Sequence, residues 1–420
     1  MKFRPLAIAA VTALALTTAA CGSSDGGNGA AVAGPKTITV WLMKGSVSDD
    51  FLKRFEDDFA AKHTDIKLNV QIQEWNGIGP KIIGALASKD APDVIEVGNT
   101  QVAQYSASGG VKDLTDKKSD LKGDDWIEGL AGPGNYEGKQ YGIPYYAANR
   151  VVVYRKDLFQ AAGITTPPKT RAEWLADTAK VNTGGNQGIY LPGQNFYVLA
   201  GFIWDEGGDL AVKDGANWKG ALETPEALKG MDFYKQIQAL GKGPKDSDEA
   251  KPTQTDVFAQ GKVAQMIAVP GAAELIAQAN LALKDKLGFF PIPGKTADKP
   301  GAVFTGGSDL IIPEASANPD AAYTFIKDLT GEQWQSDLAK TMKYVPNRTS
   351  LASAVGGDEG TAAMAAGAAN GKATPNSPNW AAVEAKNPIK EYQTKVLTGG
   401  DPAAAAKAAD EIITQALNAK

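Results

Sequence analysis

One cysteine and one histidine occur among 420 residues. A Cys/His zinc site, a Cys-His nucleophilic pair and most Ser-His-Asp arrangements therefore have no residues from which to be built. An intrachain disulfide is impossible too, so an oxidising compartment would not staple this chain. No G-x-x-x-x-G-K-[ST] loop is present, and Gly77-Ile78-Gly79-Pro80 fails the dinucleotide pattern because Ile82 stands at its last glycine. Gly306-Gly307-Ser308-Asp309-Leu310 lacks the closing glycine of a nucleophile elbow. Asp246, Asp248 and Glu249 lack the glycine and distal glutamate of a calcium loop and read as a solvated charged face. His63, in a polar turn, reads as solvated. The expectation is no cofactor and no metal.

Charge of one sign is also scarce: 43 Lys+Arg against 48 Asp+Glu give a net charge of −5, a poor field for nucleic acid or anionic lipid. Hydrophobic residues at 43% and charged residues at 22% are those of an ordinary globular protein, and the length suits two or three domains. Long apolar runs are missing. The longest, Leu6–Leu16, is about half of the ~20 residues a membrane span needs. Lying behind Lys2 and Arg4 and before Thr18-Ala19-Ala20-Cys21, it reads as a secretory signal over residues 1–20. Residues 22–35, GSSDGGNGAAVAGP, read as a flexible linker.

From Lys36 the pattern changes. KTITVWLM is a buried-strand run, and Phe51, Leu52, Phe55 and Phe59 then recur at helical spacing behind Ser48 and Asp49. IKLNVQIQEW alternates as a strand, and DVIEVG, YGIPYY, VVVYR and KVAQMIAV follow, separated by helical stretches. Such alternation predicts an α/β protein with parallel sheet covered on both faces, in two units of similar size. GGSDLIIP either returns to the first unit or begins a third. The last residues form a helix started by Asp401 and Pro402.

The inventory of 8 Trp, 12 Tyr and 13 Phe includes several at strand ends and helix starts: Trp75, Tyr145, Tyr146, Phe196, Tyr197 and Trp380. Planar polar side chains lie nearby in sequence: Asn76, Asn99, Gln101, Asn149, Gln194, Asn195 and Arg348. Apolar rings for sugar C–H faces, with amides and guanidinium for hydroxyls, are the chemistry of a carbohydrate cleft. A pair of carboxylates in a glycan hydrolase or lyase is the competing reading, since 48 acids leave such a pair open.

The ordered series ITVW, PDVIEVGNTQVAQYSASGGVKDLT, YGIPYYAANRVVVYRKDLFQAAGITTPPKT, FIWDEGGDL, VFAQGKVAQM, FPIPG, GGSDLIIPEASANPDAAYTFIKDL and YVPNR resembles the extracellular solute-binding proteins of carbohydrate ABC importers, the group that includes maltodextrin-binding protein. The leader resembles a lipoprotein signal with Cys21 as the lipidated residue. The resemblance implies a two-lobed periplasmic-binding-protein type II fold with an inter-lobe ligand cleft. Residues 36–147 plus 302–349 would form one lobe, and 148–301 plus 350–420 the other. Hinges would cross at Tyr145 to Asn149, Phe304 to Gly307 and Asn347 to Ser350.

It further implies a non-catalytic monomer on the extracellular face of the cytoplasmic membrane that hands a di- or oligosaccharide to permease subunits powered by a separate ATPase. Lys44, Ser46, Asn99, Thr100, Tyr197 and Trp380 match family contact positions, and Gly307 and Ser308 enter with the hinge strand. The maltodextrin pattern has aromatics where this chain has Val97 and Val269-Pro270-Gly271, which implies a different platform, from Trp75 and Trp204; a general likeness to actinobacterial sugar receptors implies a β-linked disaccharide such as chitobiose or cellobiose. A polyol or glycerophosphodiester on the same fold is the other alternative.

Overall fold

The computed structural model describes residues 35–75 and 77–419. Cys21, the leader and Asn76 lie outside the described residues.

Local physics sets the helices. Ser48 caps Asp49–Lys62 by accepting from the Phe51 amide at 3.2 Å, and Phe51, Phe55 and Phe59 bury one face. Thr170 and Glu173 form a reciprocal capping box at the start of Arg171–Val181. Asp401 caps Pro402–Leu417 through the Ala404 amide at 2.7 Å.

Two sheets organise the core. The first has six strands in the order Val345–Pro346, Ile143–Ala148, Gly306–Ile311, Val94–Gly98, Lys36–Met43 and Ile66–Gln73. Lys36–Met43 pairs in parallel with both of its neighbours, while Gly306–Ile311 runs antiparallel to the strands on its two sides. Side chains alternate between the faces: Ile38, Val40 and Leu42 pack with Phe55, Phe325 and Trp334, while Met43, Ile95 and Val97 pack with Ile82 and Tyr105.

The second sheet has three strands, Gln265–Ala268, Val151–Arg155 and Leu287–Phe290. Both of its pairings are antiparallel. Val152 faces one cluster and Val151 and Val153 face another, so the unbroken valine run reflects burial on both sides.

The parallel-sheet expectation is corrected on both counts: the first sheet is mixed, and the three-stranded sheet of the second unit is antiparallel, with parallel contact among the described residues there confined to the short pair Val303–Phe304 with Gly371–Lys372 and isolated bridges such as Tyr190–Met266. Alternation of strand and helix fixes the layering, whereas direction depends on which end of the sheet the chain re-enters. GGSDLIIP returns to the middle of the first sheet. His63 is likewise not simply solvated, since its Nε2 lies 2.9 Å from Asp328. Asp248 and Glu249 are paired with Lys390 at 2.8 Å and Arg150 at 2.6 Å.

Candidate functional site

Met43, Gly98 and Ala148 all leave the first sheet at one end, and Gly306 enters it there, paired with Ala148. The chain crosses to the second sheet at this end, through Asn149 and Arg150 to Val151, and returns through Val303–Phe304. Loops at the carboxyl ends of parallel strands, beside such crossings, are where open α/β sheets hold ligands.

Three groups of side chains gather here. The first is exposed: Trp75, with 42% of its surface open, lies over Gly98 and donates its indole N–H to the Lys44 carbonyl at 3.2 Å. Lys44 pairs with Glu74 at 2.7 Å. A flat apolar face beside a paired charge results.

The second group is sealed. Glu96, on the strand Val94–Gly98, accepts from the Ser46 hydroxyl at 2.6 Å, the Met43 amide at 2.8 Å and the Tyr146 hydroxyl at 3.2 Å; Ser308 donates to Tyr146 at 3.2 Å. Burial pushes the Glu96 carboxyl up, against the opposing pull of those donors. Ser46 and Ser308 are buried and serve to fix the loop after the first strand, not to face a solute.

The third group spans the two sheets. Tyr197, at the start of the helix Phe196–Asp205, stacks on Phe304 with centroids 4.1 Å apart, and the Arg150 guanidinium lies 5.2 Å from the Tyr197 ring centroid while paired to Glu249. Phe196 packs against Tyr197 at 3.9 Å. The Tyr197 hydroxyl donates to Glu384 Oε1 at 3.2 Å, and Trp380 Nε1 donates to the same oxygen at 2.9 Å. The turn Asn99–Gln101, which carries Thr100, packs against the helix Trp380–Lys386, so the loop after Gly98 lies beside this carboxylate. Asn99 beside it is buried, with its amide on the Thr305 carbonyl at 2.9 Å.

Lys44, Trp75, Asn99, Thr100, Phe196, Tyr197 and Trp380 thus converge at the crossing, although Trp380 is wholly buried and offers no open face. Asn149 and Asn195 are buried there with amide atoms lacking partners. Gly307, at φ +154°, lies so close to the Tyr146 carbonyl that a side chain would collide with it. Other positions point elsewhere. Trp204 is 4% exposed in the second unit's core, its indole N–H on Asp209 at 3.0 Å, because its helix is apolar on every side. Arg348 is buried against the Thr330 carbonyl at 3.0 Å, and Gln194 donates to Thr394 at 3.1 Å. Sequence reading missed Arg150, Glu249 and Glu384; charged residues in loops carry no periodic signal. Among the described residues no His, Cys, Asp and Glu group has the arrangement of a metal site.

Residues 44–336 match the family of bacterial extracellular solute-binding proteins. The diacetylchitobiose binding protein DasA of Streptomyces coelicolor is 41% identical over 97% of both chains.

This chain is a bacterial extracellular solute-binding protein. Its activity is therefore solute binding, which sets aside the hydrolase or lyase reading. A maltooligosaccharide ABC transporter solute-binding lipoprotein of Streptococcus pneumoniae is 27% identical over 89% of this chain and 88% of its own. The structure of the sugar-binding protein MalE from Xanthomonas citri superposes with a TM-score of 0.81 at 24% identity, covering 91% of this chain and 97% of that one, and shows the two-lobed fold.

Proposed function

We propose that this protein is the solute receptor of an ABC sugar importer, held at the outer face of the cytoplasmic membrane through a lipid on Cys21, and that its solute is a β-linked disaccharide of the chitobiose type. The observation that carries the ligand is the 41% identity over 97% of both chains to a diacetylchitobiose binding protein. The cleft supports it: aromatic faces at Trp75, Tyr197 and Phe304 suit sugar C–H surfaces, and Thr100, Asn99 and Glu384 supply polar partners. The lipid anchor draws on the leader ending in Cys21 and on the name of the pneumococcal relative.

Residues 36–147 with 302–349 form one lobe in this reading, and 148–301 with 350–420 the other; the membership of the two sheets supports that division. Binding across both lobes favours the closed arrangement through its differential contacts, and permease subunits then read that form. The receptor acts as a monomer.

A thermal-unfolding screen tests the ligand, because a solute that binds only the folded state raises the melting temperature. Diacetylchitobiose or cellobiose is expected to raise it, and maltose to leave it unchanged. A rise only with mannitol or a glycerophosphodiester would replace the sugar with another solute, and turnover of the disaccharide would overturn the receptor reading.

A further inference from the structure

Glu384 differs from the other charged groups of the cleft in having no cationic partner. Lys44 pairs with Glu74, and Arg150 with Glu249. Among the described residues nothing positively charged lies within ion-pair distance of Glu384; its hydrogen bonds come from Trp380 and Tyr197. A carboxylate has about four lone-pair sites and no donor, so the two bonds ending on Oε1 leave capacity that only a donor can satisfy. It is held firmly: Trp380, one helical turn before it, is wholly buried and fixes the position of Oε1. Beside it lie the stacked rings of Tyr197 and Phe304, an apolar neighbour for a small carbon group.

We infer that Glu384 is a specificity-determining residue that selects solutes with an N–H next to a methyl group, the pairing presented by the 2-acetamido substituent of an N-acetylated amino sugar. The inference rests on the disaccharide reading above and adds to it which part of the sugar is recognised and by which atom. A 2-hydroxyl also donates, but brings no methyl to the rings. A 2-ammonium brings charge to the carboxylate, again without the methyl.

Three disaccharides that differ only at C2 separate these cases: diacetylchitobiose, cellobiose and fully deacetylated chitobiose, titrated calorimetrically into the wild-type protein and into Glu384→Gln and Glu384→Asp. The wild type is expected to bind the acetamido sugar at least about tenfold more tightly than cellobiose. A hydrogen bond to a charged group corresponds to roughly a 10- to 100-fold change in affinity. Glu384→Gln should lose about that much for diacetylchitobiose and less than about threefold for cellobiose, with Glu384→Asp between the two.

Equal losses for both sugars would make Glu384 a purely structural residue and overturn the inference, as would an unchanged preference or tighter binding of the deacetylated form. Unfolding of each ligand-free variant is followed as a control. If the Gln variant does not fold, the same panel on the Asp variant decides. Wild-type protein that binds none of the three sugars would overturn the disaccharide reading itself, a result distinct from binding without discrimination at C2.

Discussion

Tyr197 and Phe304 lie face to face, with ring centroids 4.1 Å apart and planes 14° from parallel. One ring belongs to a helix packed in the second unit, the other to the strand by which the chain returns to the first sheet. An aromatic pair of this kind contributes about 0.5–1.5 kcal/mol beyond area burial, or roughly two- to tenfold in an equilibrium. Because the pair sits on a crossing strand, its stacking is coupled to the relative placement of the two sheets.

Phe304→Ala is expected to weaken disaccharide binding by about three- to tenfold. Tyr197→Ala, which removes both the ring and the hydroxyl on Glu384 Oε1, should weaken it further. Isothermal titration checks both, and wild-type affinity in Tyr197→Ala would remove this ring from the binding surface.

The tryptophans separate into surface and core. Trp75 is 42% exposed and Trp204 4%. Trp75→Ala should lower sugar affinity and leave the melting temperature within a degree or two, since little packing is lost. Trp204→Ala should cost about 3–5 kcal/mol of stability through a core cavity, while its folded fraction retains wild-type affinity. Denaturant unfolding with titration of each variant checks this; the reverse pattern would mean that Trp204 forms the platform.

Asp309 gives a pH dependence of defined sign. It is wholly buried, both carboxylate oxygens lack hydrogen-bond partners, and Gly134 and Gly142 press so close that a Cβ on either would come within 2.8 Å and 2.5 Å of Oδ2. Burial raises its pKa well above the ordinary value. The folded state then holds the proton more tightly than the unfolded state, so the contribution is complete below about pH 4 and is lost as pH rises through the raised value. Asp309→Asn removes the charge; the stability of the variant relative to wild type should be greater at pH 8 than at pH 5. Urea midpoints across that range measure the difference, and a constant difference would show that folding does not raise the Asp309 pKa.

Part of the clustering at the crossing was legible in the residues, because loops at the strand ends on one edge of a sheet fold close together. Trp75, Asn99, Thr100 and Tyr197 converge as their positions suggested. Ser46 and Arg348 show the limit. Their chemistry suits a solute equally well, but Ser46 is bound to Glu96, fifty positions away, and Arg348 to the Thr330 carbonyl. Polar character says that a partner is needed and leaves its identity open.

The sequence by itself determined the local elements. Phenylalanines at 51, 55 and 59 behind a capping serine specify a helix, and an uninterrupted valine run specifies a strand buried on both faces, because each is a matter of backbone geometry and periodic burial within one segment. Tertiary structure alone decided that Gly306–Ile311 enters the first sheet antiparallel, and that Tyr197 and Glu384, 187 positions apart, meet over one oxygen. Periodicity records which face of an element must leave water; the partner that covers it depends on contacts between distant segments, which form only when the whole chain packs.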